Sequence, residues 1–175
     1  MRRALLVIDM LNDFIQEEGA LSVGPVGKQI ISPIQERLQE YREQEEIILY
    51  VADHHVPDDQ EFNMFPPHCI QENYGAEIVP ELQPRERTSE RVILKRRFSA
   101  FFGSDLDLTL REKKIEKLEI TGVCTNICVL YTAADARMLN YEVEVRADAV
   151  ASFDQEAHNF ALKEMENTLG VKVIS

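Results

Sequence analysis

The stretch KLEITGVCTNICVL, residues 117–130, joins a strand pattern to a helical pattern and puts two of the chain's three cysteines at the join. Residues 117–123 form a short run of apolar and β-branched residues, which is typical of a strand. The helix that follows is predicted to run from Asn126 to Leu139, with apolar residues facing inward. A strand that leads directly into a helix is the repeating unit of a parallel sheet covered by helices.

The same alternation recurs along the whole chain. Six short apolar or β-branched runs are predicted to form strands: 4–9, 47–53, 91–95, 117–123, 142–148 and 171–175. Helices are predicted at 32–46, 106–114, 126–139 and 152–170. Ser32 and Ser152 are the predicted N-caps of the first and last of these helices. We therefore expect one α/β domain over residues 1–175, a three-layer α/β/α sandwich with a central, mostly parallel sheet of five to six strands.

Composition narrows the class of protein. The 175 residues include 19 basic and 31 acidic side chains, a formal net charge of −12, which disfavours a nucleic-acid partner. No apolar run approaches the roughly 20 residues that span a membrane. Three cysteines without an export signal predict free thiols and a cytoplasmic protein. A homo-oligomer remains open.

Side chains that can take part in acid–base, nucleophilic or metal chemistry stand at the ends of four predicted strands. The first three strands end at Asp9, Asp53 and Lys95, and the fourth leads to Cys128. In parallel sheets, ligands bind beyond the carboxyl ends of the strands, so we expect these four side chains to converge.

Cys128 lies in the predicted first turn of a helix, where the helix dipole and a nearby Lys95 would favour a thiolate nucleophile. Free backbone N–H groups in that turn would suit an oxyanion hole. The alternative is a small buried hydrophobic residue, which is our interpretation of Cys69 and Cys124. Asp9 is a candidate general base, with a turn or helix cap as its alternative.

The segment DHHVPDDQEFNMFPPHC, residues 53–69, has the composition of a metal site. Asp53 and His55 point to the same side of a strand, and His54 to the other, so His54 is the weaker candidate. His68 offers a second imidazole and Glu61 a further oxygen, the latter directly or through water. Oxygen and nitrogen donors without sulfur suit Zn²⁺, Mn²⁺ or Fe²⁺. Solvated loop histidines are the competing interpretation.

Taken in order, the motifs VIDMLNDF, DHH, FPPHC, KRRFSAF and GVCTNICV resemble those of the isochorismatase-like cysteine hydrolases, and within them the nicotinamidases. The resemblance implies a catalytic triad of Asp9, Lys95 and Cys128. It also implies a cis peptide before Cys124, with the backbone N–H groups of Cys124 and Cys128 as the oxyanion hole. The other implied positions are a metal site of Asp53, His55, His68 and Glu61, and an aromatic pocket of Phe14, Phe65 and Phe98.

The resemblance also implies a function, the hydrolysis of a small amide, with conversion of nicotinamide to nicotinate and ammonia as the first expectation. Leu11 and Asn126 depart from the residues that many relatives have there, and the chain has no tryptophan for the pocket wall. A relative acting on another amide, carbamoyl compound or ester is the alternative. A non-catalytic flavodoxin-like binding module is the third, disfavoured because Lys95 stands where a receiver domain needs its phosphoacceptor aspartate.

Overall fold

In the computed structural model, which describes residues 1–174, six strands form one central sheet. The strand order is β3-β2-β1-β4-β5-β6, and every pairing between neighbouring strands is parallel. The strands are β1 (Arg3–Ile8), β2 (Ile47–Asp53), β3 (Glu90–Lys95), β4 (Lys117–Val123), β5 (Glu142–Ala151) and β6 (Lys172–Ile174). All six predicted strands are present; the predicted end of the last, Ser175, lies outside the described residues.

Helices cover both faces of this sheet. They are α1 (Asn12–Ile15), α2 (Pro25–Gln29), α3 (Ile31–Glu43), α4 (Leu106–Glu112), α5 (Leu130–Met138) and α6 (Gln155–Asn167). The four predicted helices are present, whereas the short α1 and α2 were not predicted. No helix within residues 1–174 combines the length and apolarity needed to cross a membrane.

The alternation of side chains along β1 shows how the layers are held together. Ala4, Leu6 and Ile8 pack into one buried cluster with apolar residues of α4, α5 and α6. Leu5 and Val7 point to the opposite face and pack with α1 and α3. Because both faces of the strand are buried, its sequence is apolar at successive positions. The fold is the three-layer α/β/α sandwich that the sequence predicts.

Two predicted helix caps are wrong. The helix α3 begins at Ile31, directly after α2, so Ser32 already lies within its first turn. The helix α6 is capped by Asp154, whose carboxylate accepts a hydrogen bond of 2.9 Å from the N–H of Ala157. Ser152 instead follows the end of β5 and donates its hydroxyl to Asn126 at 2.6 Å. In both cases the preceding element, α2 or β5, determines where the helix begins.

The sheet has a topological switch point between β1 and β4, because the chain winds from β1 toward β3 on one side and from β4 toward β6 on the other. Ile8 and Gly122 are partners at the carboxyl ends of these two central strands. Gly122 has φ of 111°, and a Cβ there would lie 2.0 Å from the carbonyl oxygen of Ile8. Only glycine fits this close approach. The switch point is where such sheets bind ligands.

Candidate active site

Asp9, Lys95 and Cys128 meet beyond the carboxyl ends of the central strands, as the sequence predicts. Lys95 Nζ lies 2.8 Å from Asp9 Oδ2 and 3.5 Å from Cys128 Sγ, and all three residues are buried. Lys95 ends β3, which is separated from β1 by β2. Two strand spacings amount to about 10 Å, a distance that suits the long side chain of lysine.

The backbone around Asp9 fixes its carboxylate. Asp9 has a φ of 51°, in the left-handed region that aspartate enters more readily than most residues. Its N–H donates to the carbonyl of Val51 at 2.8 Å, and its Oδ1 accepts from the N–H of Asp53 at 2.9 Å. One carboxylate oxygen is therefore held by the backbone, and the other faces Lys95 and the thiol.

Burial and charge set the protonation states of this group. Burial raises the pKa of Asp9 to about 6, with the Asp53 carboxylate adding to the shift and Lys95 opposing it. Burial also raises the pKa of the Cys128 thiol well above its usual value, and the attraction of Lys95 does not overcome it. Although burial lowers the pKa of Lys95, its anionic neighbours Asp53 and Asp9 raise that pKa by more. Burial therefore favours a neutral thiol, whereas the helix start and Lys95 favour a thiolate, and Asp9 is ionised above about pH 6.

The four candidate metal ligands form a second buried cluster. One donor atom from each of Asp53, His55, Glu61 and His68 lies within 4.8 Å of the others. Asp53 Oδ2 is 3.6 Å from His55 Nε2 and 3.8 Å from His68 Nε2, and Glu61 Oε1 is 3.8 and 4.0 Å from the same two nitrogens. These spacings are close to those of ligands around one ion at bond lengths of about 2.1 Å.

The Nδ1 atom of each histidine contacts an oxygen outside this cluster, and this contact orients the Nε2 atom of the same ring toward the cluster. His55 Nδ1 lies 3.1 Å from Asp59 Oδ2, and His68 Nδ1 lies 2.7 Å from the carbonyl oxygen of Pro66. Within residues 1–174, His55 Nε2 and Glu61 Oε2 are buried without a hydrogen-bond partner. Buried polar atoms without partners are costly, and a bound cation would satisfy them. The donor set therefore fits a divalent metal ion.

Asp53 links the two clusters through opposite oxygens. Its Oδ1 contacts Lys95 Nζ at 2.5 Å, while its Oδ2 faces the two imidazoles. Burial favours its neutral form, but Lys95 and both histidines hold the pKa of Asp53 far below its usual value. Burial lowers the pKa of His55 and His68, but Asp53 and their other hydrogen-bond acceptors together raise it above the usual value. Burial and then Asp53 raise the pKa of Glu61.

A narrow cleft lies between the two clusters. Asp53, Glu61, His68 and Cys128 lie along it. Its other lining residues are the predicted Phe14, Phe65 and Phe98, together with Leu21, Cys124, Ile127 and Phe153. Leu21, Ile127 and Phe153 were not predicted as pocket residues. Phe153 stands just beyond the end of β5, much as the predicted site residues stand at other strand ends, whereas Leu21 lies in a loop without such a signal.

Cys124 and Cys128 lie in the turn that connects β4 to α5. The Val123–Cys124 peptide is cis, as the resemblance implies. Residues Thr125–Val129 form a π-helical turn, and the Cys124 carbonyl accepts from the N–H groups of Ile127 at 3.0 Å and Val129 at 3.2 Å. These donors flank Cys128, whose N–H is the predicted oxyanion donor together with that of Cys124.

Several other predicted and unpredicted residues surround the site. His54, the weaker metal candidate, lines a separate surface cleft. Cys69 is buried as predicted, and its N–H donates to Asp13 Oδ2 at 2.7 Å. Asp59, whose carboxylate contacts His55, was not predicted as a residue of the site. The π-helical turn is held to α6 by a contact of 2.8 Å between Thr125 Oγ1 and His158 Nδ1, which the sequence did not indicate either.

Comparison with known proteins identifies the family and fold of the chain. The family model described as the isochorismatase domain matches residues 3–175. The crystal structure of nicotinamidase PncA from Bacillus subtilis is 38% identical, with a TM-score of 0.96 and 100% of both chains covered. The pyrazinamidase of Pyrococcus horikoshii, solved in complex with zinc, is 32% identical with a TM-score of 0.91, covering 100% of this chain and 99% of that one.

A relative from Arabidopsis thaliana, described as a probable inactive nicotinamidase, is 35% identical over 97% of this chain and 90% of its own length. The chain thus belongs to the isochorismatase family, whose members include hydrolases of small amides.

Proposed function

We propose that this isochorismatase-family protein is a metal-assisted cysteine amidohydrolase that converts nicotinamide to nicotinate and ammonia. The observation that carries the proposal is Asp53, which contacts Lys95 with one oxygen and faces both candidate metal-binding imidazoles with the other. The nucleophile cluster and the metal cluster share Asp53 and border the same cleft. This arrangement suits a substrate with a metal-binding ring nitrogen at one end and a carboxamide at the other.

The metal site would consist of Asp53, His55, His68 and Glu61. A divalent ion bound there, Zn²⁺ by first preference and Mn²⁺ or Fe²⁺ as alternatives, would supply a Lewis acid that holds the pyridine nitrogen. The cleft then directs the carboxamide toward Cys128, and the four phenylalanines of its lining pack against the ring.

Acylation begins with proton transfer. Asp9 is ionised at neutral pH because its pKa is about 6, so it can take the proton of the Cys128 thiol as sulfur attacks the amide carbon. Lys95 stabilises the negative charge that is shared between the thiol and the carboxylate. The backbone N–H groups of Cys124 and Cys128 bind the oxyanion, and each such donor is typically worth roughly 3–4 kcal/mol in the transition state.

Breakdown of this adduct needs the same proton again. Asp9 returns it to the leaving nitrogen, the C–N bond breaks, and ammonia departs from a thioester on Cys128. Asp9 then removes a proton from the water that attacks the thioester. The carboxylate product leaves, and the proton held by Asp9 restores the thiol.

The cleft also bears on which substrate fits. Most of its lining is apolar, and four of the lining residues are phenylalanines, which suits an aromatic ring.

The test is ammonia release from nicotinamide by the purified, reduced protein before chelation, after it, and after addition of Zn²⁺. Release that chelation abolishes and Zn²⁺ restores is the expected result. If the zinc-loaded protein released no ammonia, nicotinamide would be ruled out as a substrate. Turnover within a panel of other amides, carbamoyl compounds and esters would then identify another family activity, and no turnover at all would indicate a non-catalytic protein.

A further inference from the structure

We propose that Asp59 is a positioning residue of the metal site, which fixes the tautomer of His55 and the place of Glu61 and ties both to the segment that carries Lys95. This proposal rests on the metal role in the proposed function. Asp59 does not face the cleft and is not one of the four candidate ligands. Its side chain is fully buried, at 0% exposure.

Four donors surround the Asp59 carboxylate. Its Oδ2 lies 3.1 Å from His55 Nδ1 and 2.9 Å from Arg96 Nε. Its Oδ1 accepts from the N–H of Glu61 at 3.1 Å and from Arg97 at 2.9 Å. Each oxygen therefore serves one candidate metal ligand and one arginine, an arrangement that holds the carboxylate in a single orientation.

The contact with His55 determines which ring nitrogen is free. A carboxylate can only accept, so Nδ1 must carry the hydrogen and donate it to Asp59. In the neutral ring, the lone pair is then on Nε2, the atom that faces Asp53 Oδ2 and Glu61 Oε1. A metal ligand of this kind needs its second nitrogen oriented by such a partner.

The contact with Glu61 positions a second candidate metal ligand. Asp59 is the N-cap of the 3-10 turn Gln60–Asn63, and its side chain accepts from Glu61 at that turn's start. The cap therefore fixes the backbone from which the Glu61 carboxylate reaches the cluster. In this way one aspartate positions two of the four donors.

Arg96 and Arg97 connect the metal loop to the catalytic strand, because they directly follow Lys95 at the end of β3. Arg96 donates to one oxygen of Asp59 and Arg97 to the other, so the carboxylate is tied to the segment that carries Lys95.

The variant Asp59→Asn keeps the size of the side chain but replaces one acceptor oxygen with an NH₂ donor. If that NH₂ faces His55, the imidazole must turn its proton to Nε2, the atom needed for the metal. If it faces Glu61, the cap is lost. Either orientation disturbs one ligand, so we expect Zn²⁺ affinity, measured by competition with a chromophoric chelator, to fall by about 10- to 100-fold.

The matched control is Glu90→Gln. Glu90 is also a buried carboxylate held by an arginine and a backbone N–H, from Arg42 at 2.8 Å and Arg85 at 2.9 Å. It begins β3, at the end of the strand away from Lys95. We expect its replacement to lower the melting temperature and to leave Zn²⁺ affinity within about twofold of wild type. Equal loss of affinity in both variants would show a general effect of destabilisation and overturn the positioning role.

A second measurement needs only the wild-type protein. Nitrogen-15 NMR of the zinc-loaded chain should show the His55 ring proton on Nδ1, and a proton on Nε2 would refute the proposal. Wild-type Zn²⁺ affinity retained in Asp59→Asn would also overturn it, while leaving the proposed function intact. If the wild-type chain bound no Zn²⁺, the metal role in the proposed function would fail, and the Asp59 proposal with it.

Discussion

Replacing Lys95 by methionine should destabilise the protein severely, because Lys95 is the cation that neutralises the buried acids. Its Nζ lies 2.8 Å from Asp9 Oδ2 and 2.5 Å from Asp53 Oδ1, and the side-chain exposures of the three residues are 0%, 0% and 3%. Methionine retains much of the length of the lysine chain and removes the charge. Two neighbouring carboxylates are then left in the interior without their partner.

The expected loss is about 3–5 kcal/mol, the typical cost of removing one member of a buried ion pair. For a chain of this size, each 1 kcal/mol lowers the melting temperature by about 2–4 °C, so the expected decrease is about 6–20 °C. The assay is chemical and thermal unfolding after chelation, since a bound cation would partly replace the missing charge. Turnover of nicotinamide by the zinc-loaded variant should fall by at least about 100-fold, because Lys95 would no longer stabilise the negative charge shared by the thiol and the Asp9 carboxylate.

Lys172→Met serves as the control, since Lys172 makes an exposed ion pair of 3.1 Å with Glu144. An exposed pair of this kind is worth about 0–1 kcal/mol, so this variant should unfold almost as the wild type does. Lys95→Met that lost less than about 1 kcal/mol would refute the reasoning, because the buried carboxylates would then not depend on Lys95.

Three further outcomes are expected. Cys128→Ala should reduce ammonia release to the uncatalysed background with Zn²⁺ content unchanged, as measured by enzyme assay and elemental analysis; retained turnover would contradict the nucleophile assignment. His68→Ala should lose most of its bound Zn²⁺ while it remains folded, as followed by elemental analysis and circular dichroism, since one of four donors is removed. Glu90→Gln should lose about 1–3 kcal/mol at pH 7. Burial opposes ionisation of Glu90, but bonds from Arg42 and Arg85 hold its pKa below the usual value of 4.5. This stabilisation is present above pH 4.5 and lost as the pH falls through the lower folded pKa, so unfolding curves of the variant and the wild type should converge in acid.

Much of the fold follows from short-range patterns in the chain. The apolar runs at 4–9 and 47–53 predict buried strands, and the spacing of Ile34, Leu38 and Tyr41 predicts the buried side of α3, where all three are found. Such patterns are local, so they identify the elements but not where each one begins. The caps assigned to Ser32 and Ser152 were wrong because α2 and the end of β5 determine those boundaries.

The residues of the site were also accessible from the sequence, because chemically capable side chains stand at strand ends. Asp9, Lys95 and Cys128 lie together as predicted, and so do Asp53, His55, Glu61 and His68. Their catalytic and metal-binding roles remain predictions.

Only the tertiary structure determined the protonation states of these residues and the contacts that orient them. The helix start and Lys95 favour a thiolate at Cys128, whereas burial raises the pKa of the thiol, and the order of neighbouring residues does not show which effect is stronger. The role of Asp59 depends on contacts with Arg96 and Arg97, 37 and 38 positions away in the chain. The sequence thus specifies which groups reach the site through local periodicity. Their protonation and orientation depend on desolvation and on charges brought close by folding, and neither is encoded in the order of neighbouring residues.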